Sequence, residues 1–567
     1  MDQTLPSWAT QLRNRYLSGE SSVFLLHGNV RDVQPWMEPD GKVVYLALRD
    51  FLTRFLGRSK EPVVHYNVSE GLEFGAKGQA ALFKKAINLR RTAEGRALVE
   101  DLPFSPGLVL PILEDLITDP TQRAGVVVDY LEMIAPNGDL SFLSEPDKAN
   151  LVTLQRLGGD PGLLHSDNLV IFVTEVLGDI SRRLTSSPHI SALEIPRPDQ
   201  DTRSVFLKHQ DLMDIRLELT AEQLSKITAG LTLLQVQSVL RQARQSGEAL
   251  TFAMVNRRKK AIIEQECHGL VEFVDPKHGF AEVGGMDAIK TDLNRLADAI
   301  KSGQRARVPM GLIFVGPMGT GKTFVAEAFA KESGLTCLKF KNFREKWVGS
   351  TESNLEKVLQ LVDGLGYALV IIDEADRSLA SGETDGGTSS RVIARLKEFM
   401  SDTSHRGRVV MLMMTNRPDK LDVDLKRPGR FDVKIPFFFA QTAEERKQIL
   451  EAVFRRGKIL LAPGLSVDAA SVATAGWSAA ELESLALTAA NYAAWDGREQ
   501  VSQPDMDRAL ADVIPSRDTR MLEYMEMLAV FESSSRRYLP EHYQGLQTHQ
   551  VQDQLDLLRV RLGSRVS

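Results

Sequence analysis

The stretch Gly316-Pro317-Met318-Gly319-Thr320-Gly321-Lys322-Thr323 carries the residue types that hold a polyphosphate. Its glycines let the backbone curl so that several N–H groups converge on phosphate oxygens. Lys322 is spaced to reach the β- and γ-phosphates, and the Thr323 hydroxyl to ligate Mg²⁺. An apolar run, Leu312 to Val315, precedes the stretch, and an alanine-rich helical pattern, Phe324 to Lys331, follows it. A phosphate-binding loop needs that order of strand, glycine turn and helix, because the helix N-terminus adds its positive dipole end. Further on, the apolar run Ala368 to Ile372 ends in Asp373-Glu374. Ligands bind at the C-terminal edge of a parallel sheet, so both acids emerge beside the loop. Asp373 suits support of Mg²⁺ and Glu374 the polarisation of an attacking water, the division of labour that phosphoryl transfer needs. The plain alternative for these acids is helix capping.

The elements that position these residues belong to a long soluble chain. Its 567 residues suffice for roughly four compact units at about 150 residues each. Hydrophobic and charged fractions of 43% and 25% are those of a globular protein. A formal net charge of −6 gives no basic footprint, which disfavours wholesale nucleic-acid binding. The two cysteines, Cys267 and Cys337, are too few and too isolated for a disulfide framework or a zinc cluster. No apolar run approaches the ~20 residues that cross a bilayer, and Met1 to Ser21 lacks a signal-peptide core. The expected location is cytoplasmic, with no transmembrane segment.

Read in order, the chain repeats itself. A short helix, Pro6 to Arg15, leads into a strand, Ser22 to Leu26, followed by His27-Gly28-Asn29-Val30-Arg31-Asp32 where a phosphate loop would sit. Strand Gly125 to Val128 ends in Asp129-Tyr130, and strand Asn168 to Val173 in Thr174-Glu175; then come Ile195-Pro196 and helices through Glu266, one opened by Ala229-Gly230-Leu231-Thr232. The second half repeats these landmarks as Asp373-Glu374, Thr415-Asn416, Ile435-Pro436 and Ala475-Gly476-Trp477-Ser478, at similar spacing. Order plus spacing argues for a tandem duplication, with a longer insertion in the first copy before Asp129. The polar, turn-rich stretch Cys267 to Gly279 suits a linker. After Pro515, Asp518 to Ser533 and Val551 to Leu562 read as amphipathic helices, packed on the domain's own flank or on a partner.

The second half, from about Phe280 to Ser516, resembles the AAA family of Walker ATPases. The segment Phe280-Ala281-Glu282-Val283-Gly284-Gly285 is similar to the family's opening segment, whose backbone, here Val283 and Gly284, cups the adenine. Thr415-Asn416 resembles sensor 1, where Asn416 would hold the water or γ-phosphate. Arg427-Pro428-Gly429-Arg430-Phe431-Asp432 resembles the second region of homology, whose two arginines reach into a neighbouring subunit's ATP. Such a guanidinium contributes on the order of 10³–10⁵ in rate, so hydrolysis needs an oligomer, which the resemblance implies is a hexameric ring. Surface ion pairs within one subunit are the alternative for Arg427 and Arg430.

Lys346-Trp347-Val348-Gly349 resembles the pore loop that grips an extended polypeptide, although Trp347 departs from the commoner Tyr or Phe. An exposed Trp could instead be buried at a subunit interface. Ser381 to Ser390 would be the second pore loop. Gly476-Trp477-Ser478-Ala479-Ala480-Glu481-Leu482 resembles the start of the lid helix, with Ala479 in place of the usual glycine. The resemblance places Phe324, Gly476, Ala479 and Ala480 beside the loop residues as nucleotide contacts. No His-Glu-x-x-His zinc signature follows, which argues against a built-in metalloprotease.

The expectation is therefore an α/β chain of two tandem AAA+ modules, each a parallel sheet with flanking helices and a small helical lid. Expected boundaries are a degenerate α/β domain at 1–205, its lid and linker at 206–270, an active ATPase domain at 271–440, its lid at 441–515 and a helical extension at 516–567. The first domain has Tyr130 in place of the catalytic acid, Glu175 at the sensor position and no loop lysine, so it should not hydrolyse ATP. With ATP and Mg²⁺ as cofactors, the expected activity is a ring-shaped protein remodeller or unfoldase. A nucleotide-gated assembly scaffold is the alternative, and a nucleic-acid motor is disfavoured.

Overall fold

A computed structural model describes residues 5–138, 141, 143–212, 214–267, 270–341, 351–378, 388–515 and 518–563. The chain divides into two compact units, Met1–Ile262 with Glu352–Gly364, and Ile263–Thr351 with Leu365–Ser567.

The first unit holds β1 (Val23–Gly28), β2 (Val33–Met37), β3 (Val43–Ala47), β4 (Val63–Asn67), β5 (Gly71–Phe74), β6 (Gly125–Val128), β7 (Leu169–Val173) and β8 (Ser191–Ile195). Six of these form a sheet in the order β5-β4-β6-β7-β1-β8, parallel except for β5, which returns antiparallel on β4. β6 and β7 are buried along their whole length. That explains their unbroken runs of Val, Ile, Leu and Phe: helices cover both faces of a parallel sheet, so no polar alternation survives. One face packs on Phe83, Leu113 and Leu154, the other on Trp8, Phe51 and Leu52.

The second unit holds β9 (Val271–Val274), β10 (Gly311–Val315), β11 (Thr336–Phe340), β12 (Ala368–Ile372), β13 (Val409–Thr415) and β14 (Val433–Pro436). Their order is β14-β10-β13-β12-β11-β9, parallel except for β9. Without the antiparallel edges, β8-β1-β7-β6-β4 and β14-β10-β13-β12-β11 are one topology written twice. In each, the strand that enters the glycine turn lies between the last strand and the strand ending in Thr174 or Thr415.

The helical lids repeat at the level of single bonds. Arg203 Nε donates to the Ser225 carbonyl at 2.9 Å and Arg446 Nε to the Ser471 carbonyl at 2.6 Å. Both arginines are buried, and each saturates carbonyls that a lid turn would otherwise leave bare. Thr232 caps the helix Leu233–Ser246 and Ser478 caps Ala479–Trp495, each with a reciprocal capping box.

One stretch departs from the sequence expectation. The supposed linker contains β9, whose Val271, Phe273 and Val274 pair with β11; four residues between polar turns are too short for periodicity to register. In the first unit the inserted chain forms the β2–β3 hairpin, the β4–β5 hairpin and the helices Gln79–Ala93 and Pro106–Ile117.

The C-terminal helices Thr519–Glu532 and Thr548–Leu562 pack on each other through Tyr524, Leu528, Val551 and Leu555, with Phe438 just beyond β14 against them. Among the described residues no helix is long and apolar enough to cross a membrane.

Candidate functional site

The glycine loop runs from the end of β10 into the helix Lys322–Ser333. Gly316 has φ 152°, and a Cβ there would lie 2.1 Å from the Phe437 carbonyl oxygen, so no other residue fits. Gly319 and Gly321 take φ 78° and 88°, the left-handed region. Their amide N–H groups have no acceptor among the described residues, which suits a cradle for an anion. Thr320 Oγ1 donates to the Pro317 carbonyl at 2.9 Å and braces the turn. Met318 is half exposed at the tip, and Thr323 lies in the first turn of the helix.

Lys322 Nζ donates to the carbonyls of Gly316 and Pro317 and to Asn416 Oδ1, each at 2.8 Å. Burial pulls its pKa down to about 8, against the attraction of Asp373 and Asp376. The neighbouring strand ends supply the acids. Asp373 Oδ2 pairs with Lys339 Nζ at 2.7 Å, and its other oxygen accepts from the Glu374 amide at 3.0 Å. Glu374 has φ 45°, an uncommon conformation for a residue with a side chain, and pairs with Arg377 at 3.1 Å. Behind them Thr415 Oγ1 donates to Asp376 Oδ1 at 2.7 Å, joining the ends of β12 and β13.

The lid meets this loop directly. The Ala480 amide donates to the Gly319 carbonyl at 3.2 Å, and a Cβ on Gly319 would come within 2.9 Å of Ser478 Oγ. Gly476 has φ 79° and turns the chain into the helix that opens at Ala479. On the other side Gly284 abuts the lid so closely that a Cβ would lie 2.5 Å from the Gln448 carbonyl oxygen. Val283 is buried beside it, and its carbonyl accepts from Lys290 at 3.2 Å. Phe324 is sandwiched between the His278 ring, 3.7 Å away and nearly parallel, and the Arg456 guanidinium at 4.6 Å.

Loop, acids, Asn416 and lid start thus converge. Arg427 and Arg430 do not join them: neither bonds to Lys322, Glu374 or Asn416 of its own chain. Arg430 donates to the Asp424 carbonyl at 2.7 Å, and Arg427, 70% exposed, pairs with the Asp424 carboxylate at 3.1 Å. Exposed pairs of this kind contribute at most ~1 kcal/mol and release readily. Lys346, Trp347, Val348 and Gly349 lie outside the described residues, as does most of Ser381 to Ser390. Sequence reasoning missed Lys339, Asp376, His278 and Arg456. Asp376 was signalled by its offset of three from Asp373, matched by Glu132 after Asp129; the others carry no sequence mark.

At the matching place in the first unit, side chains of the chain itself fill the site. Arg31 Nη1 meets Asp129 Oδ2 at 3.0 Å and its Nε meets Glu175 Oε1 at 3.1 Å, with the guanidinium 3.9 Å above the Tyr130 ring. Burial works to lower the Arg31 pKa, but these partners raise it overall, so it stays charged. Tyr130 has φ 54°, like Glu374, and Thr174 Oγ1 donates to Glu132 Oε2 at 2.8 Å, as Thr415 does to Asp376. The Asp32 carboxylate, 2% exposed, accepts from the amides of Leu233 at 2.8 Å and Leu234 at 3.0 Å, at the start of the lid helix. Arg31 and Asp32 therefore follow β1 where, after β10, the second unit carries Lys322 and its bare loop amides.

Three family models match consecutive parts of the chain. The AAA+ chaperone N-terminal Rossmann-like domain matches residues 2–196, the AAA+ chaperone second helical domain 201–268, and the ATPase family associated with various cellular activities (AAA) 312–439. Residues 312–439 are thus an AAA ATPase domain.

Curated relatives align with less than half of the chain. ATP-dependent zinc metalloprotease FtsH 2 of Symbiobacterium thermophilum is 34% identical over 272 residues, covering 45% of this chain and 46% of the relative. ATP-dependent zinc metalloprotease FtsH of Paraburkholderia phymatum is 35% identical over 263 residues, covering 43% and 40%. That of Thermus thermophilus is 33% identical over 279 residues, covering 44% and 43%. The chain spans less than half the length of these relatives. The AAA domain contains the glycine loop, both acids, Asn416 and the two arginines, whereas Val283, Gly284 and the lid lie outside that match.

Proposed function

We propose that the second module binds ATP with Mg²⁺ and hydrolyses it, and that the first module is a docking or packing copy without turnover. The observation that carries this reading is the Lys322 ammonium, held between loop carbonyls and Asn416 beside Asp373 and Glu374. A cation at the mouth of a bare-amide cradle suits a polyphosphate. Val283, Gly284, Phe324 and the start of the lid would hold the base and sugar, with Pro317, Met318, Thr320, Gly476, Ala479 and Ala480 shaping the cleft. Mg²⁺, met by the Thr323 hydroxyl and Asp373, would neutralise phosphate charge. Glu374 would take up the proton of the attacking water, with Asn416 holding that water in line.

In this reading Arg427 and Arg430 leave Asp424 and act on a neighbour's nucleotide, so the working form is a homo-oligomeric ring, a hexamer. Such a ring in the cytoplasm would remodel or unfold a protein substrate by threading it past Lys346, Trp347, Val348 and Gly349. The second reading, a nucleotide-gated assembly scaffold, is favoured by the size of the inert first module. Steady-state ATPase separates the two. The unfoldase reading expects sustained turnover, abolished in Glu374→Gln, and a Trp347→Ala variant that hydrolyses ATP yet no longer processes substrate. Turnover near one per assembly cycle supports the scaffold. Stimulation by DNA would count against both.

A further inference from the structure

The C-terminal extension touches the AAA core at two places that flank functional residues. Glu532, the last residue of the helix Thr519–Glu532, has a side chain only 9% exposed and accepts from two ammonium groups. One is Lys434 on β14, at 2.8 Å. The other is Lys426, the residue before Arg427. Lys426 also donates to the Pro418 carbonyl at 3.1 Å, two residues beyond Asn416. On the same helix the Tyr524 hydroxyl donates to Asp419 at 3.2 Å, and Arg559 of the last helix holds that hydroxyl at 3.1 Å. Asp419 in turn grips Arg417, next to Asn416, through two bonds of 2.9 and 2.8 Å. The turn after Asn416 and the segment before Arg427 are thus pinned to one another and to a single helix.

We propose that Glu532 is a positioning residue for ATP hydrolysis, acting through Lys426 to fix the Arg427–Arg430 segment relative to Asn416. The inference rests on the trans role given above to the two arginines. A buried carboxylate between two lysines is held by charge and by geometry, and removing it leaves both ammonium groups in a poorly solvated place. The segment would then lose its fixed register, and an error of about 1 Å at a transition-state group costs on the order of 100-fold in rate. Among the described residues the bonds of Glu532 go to Lys426 and Lys434 and not to the loop 316–323, so nucleotide affinity should not change.

The test is steady-state ATPase of the full chain. Glu532→Gln should lower kcat by about 10- to 100-fold with KM for ATP within about twofold. Lys426→Met, which cuts the same link from the other end, should do the same, and the double variant should lose no more than either alone. Lys434→Met, which leaves the Lys426 link intact, should keep kcat within about twofold. The inference is overturned if the two losses multiply, if KM rises in step with the fall in kcat, or if Lys434→Met costs as much as Glu532→Gln. Arg430→Ala tests the parent reading separately. If it turns over normally, the arginine role itself is wrong; if it is inactive while Glu532→Gln is not, only the positioning role falls.

Discussion

The Lys322 ammonium is bound to the Asn416 side-chain oxygen across 2.8 Å, tying the glycine loop to the end of β13. In the proposed site Asn416 would therefore place the lysine as well as the attacking water. Asn416→Ala should leave ATP binding within several-fold while lowering kcat by about 100-fold, because the water and the γ-phosphate lose their common reference. Nucleotide affinity measured by titration, set beside turnover, checks the split.

Burial brings the Lys322 pKa down to about 8. A bound polyphosphate favours the charged form, so the bound pKa is higher than the free one and binding takes up a proton once the free lysine has begun to lose it. ATP affinity should be flat below about pH 8 and weaken above it, by up to about tenfold per pH unit. Calorimetry at pH 8.5 in buffers of different ionisation heat should register the uptake, and Lys322→Met should abolish it. The same lowering has a sign for folding: between about pH 8 and the ordinary lysine value of 10.5 the unfolded chain binds more protons, so the free protein gains stability as pH rises through that window.

The first module should be inert to nucleotide. A Lys322→Ala chain should have no residual ATPase, and any turnover above background would assign hydrolysis to the first unit. Asp32→Ala should strip the Leu233 and Leu234 amides of their acceptor while Thr232 still caps the helix Leu233–Ser246, at a cost of roughly 1–3 kcal/mol. Hydrogen exchange should then quicken at the Leu233 and Leu234 amides.

Gly284 lies against the Gln448–Ile449 backbone with no space for a methyl group. Gly284→Ala should push the lid off by a few tenths of an ångström or more, costing about 1–3 kcal/mol in stability. ATP binding should weaken by a larger factor than in Gly303→Ala, whose site is open, although φ 70° at Gly303 makes that control mildly unstable too. Thermal midpoints alongside nucleotide titration distinguish the two.

Much of this was legible in the residues because parallel strands and phosphate loops leave marks in single stretches. β12 is a solid apolar run ending in two acids, and the loop names its own helix. The doubled topology was readable as repeated landmarks, since the residues at strand ends keep their spacing even where chemistry differs. What stayed hidden depends on partners far apart in sequence. Nothing local tells that Lys339 faces Asp373, that Arg31 replaces the loop lysine, or that Glu532 reaches back to Lys426. β9 reads as linker in the sequence because four residues offer too few alternations to count.

Glu374 and Tyr130 share a left-handed backbone, at φ 45° and 54°, although only one of them has an acid to offer. The bend is thus a property of the sheet's rim and would be most at ease with glycine. Selection for heat resistance alone, with no assay for nucleotide cleavage, should drift toward glycine at position 374 and deliver a sturdier protein that has gone silent.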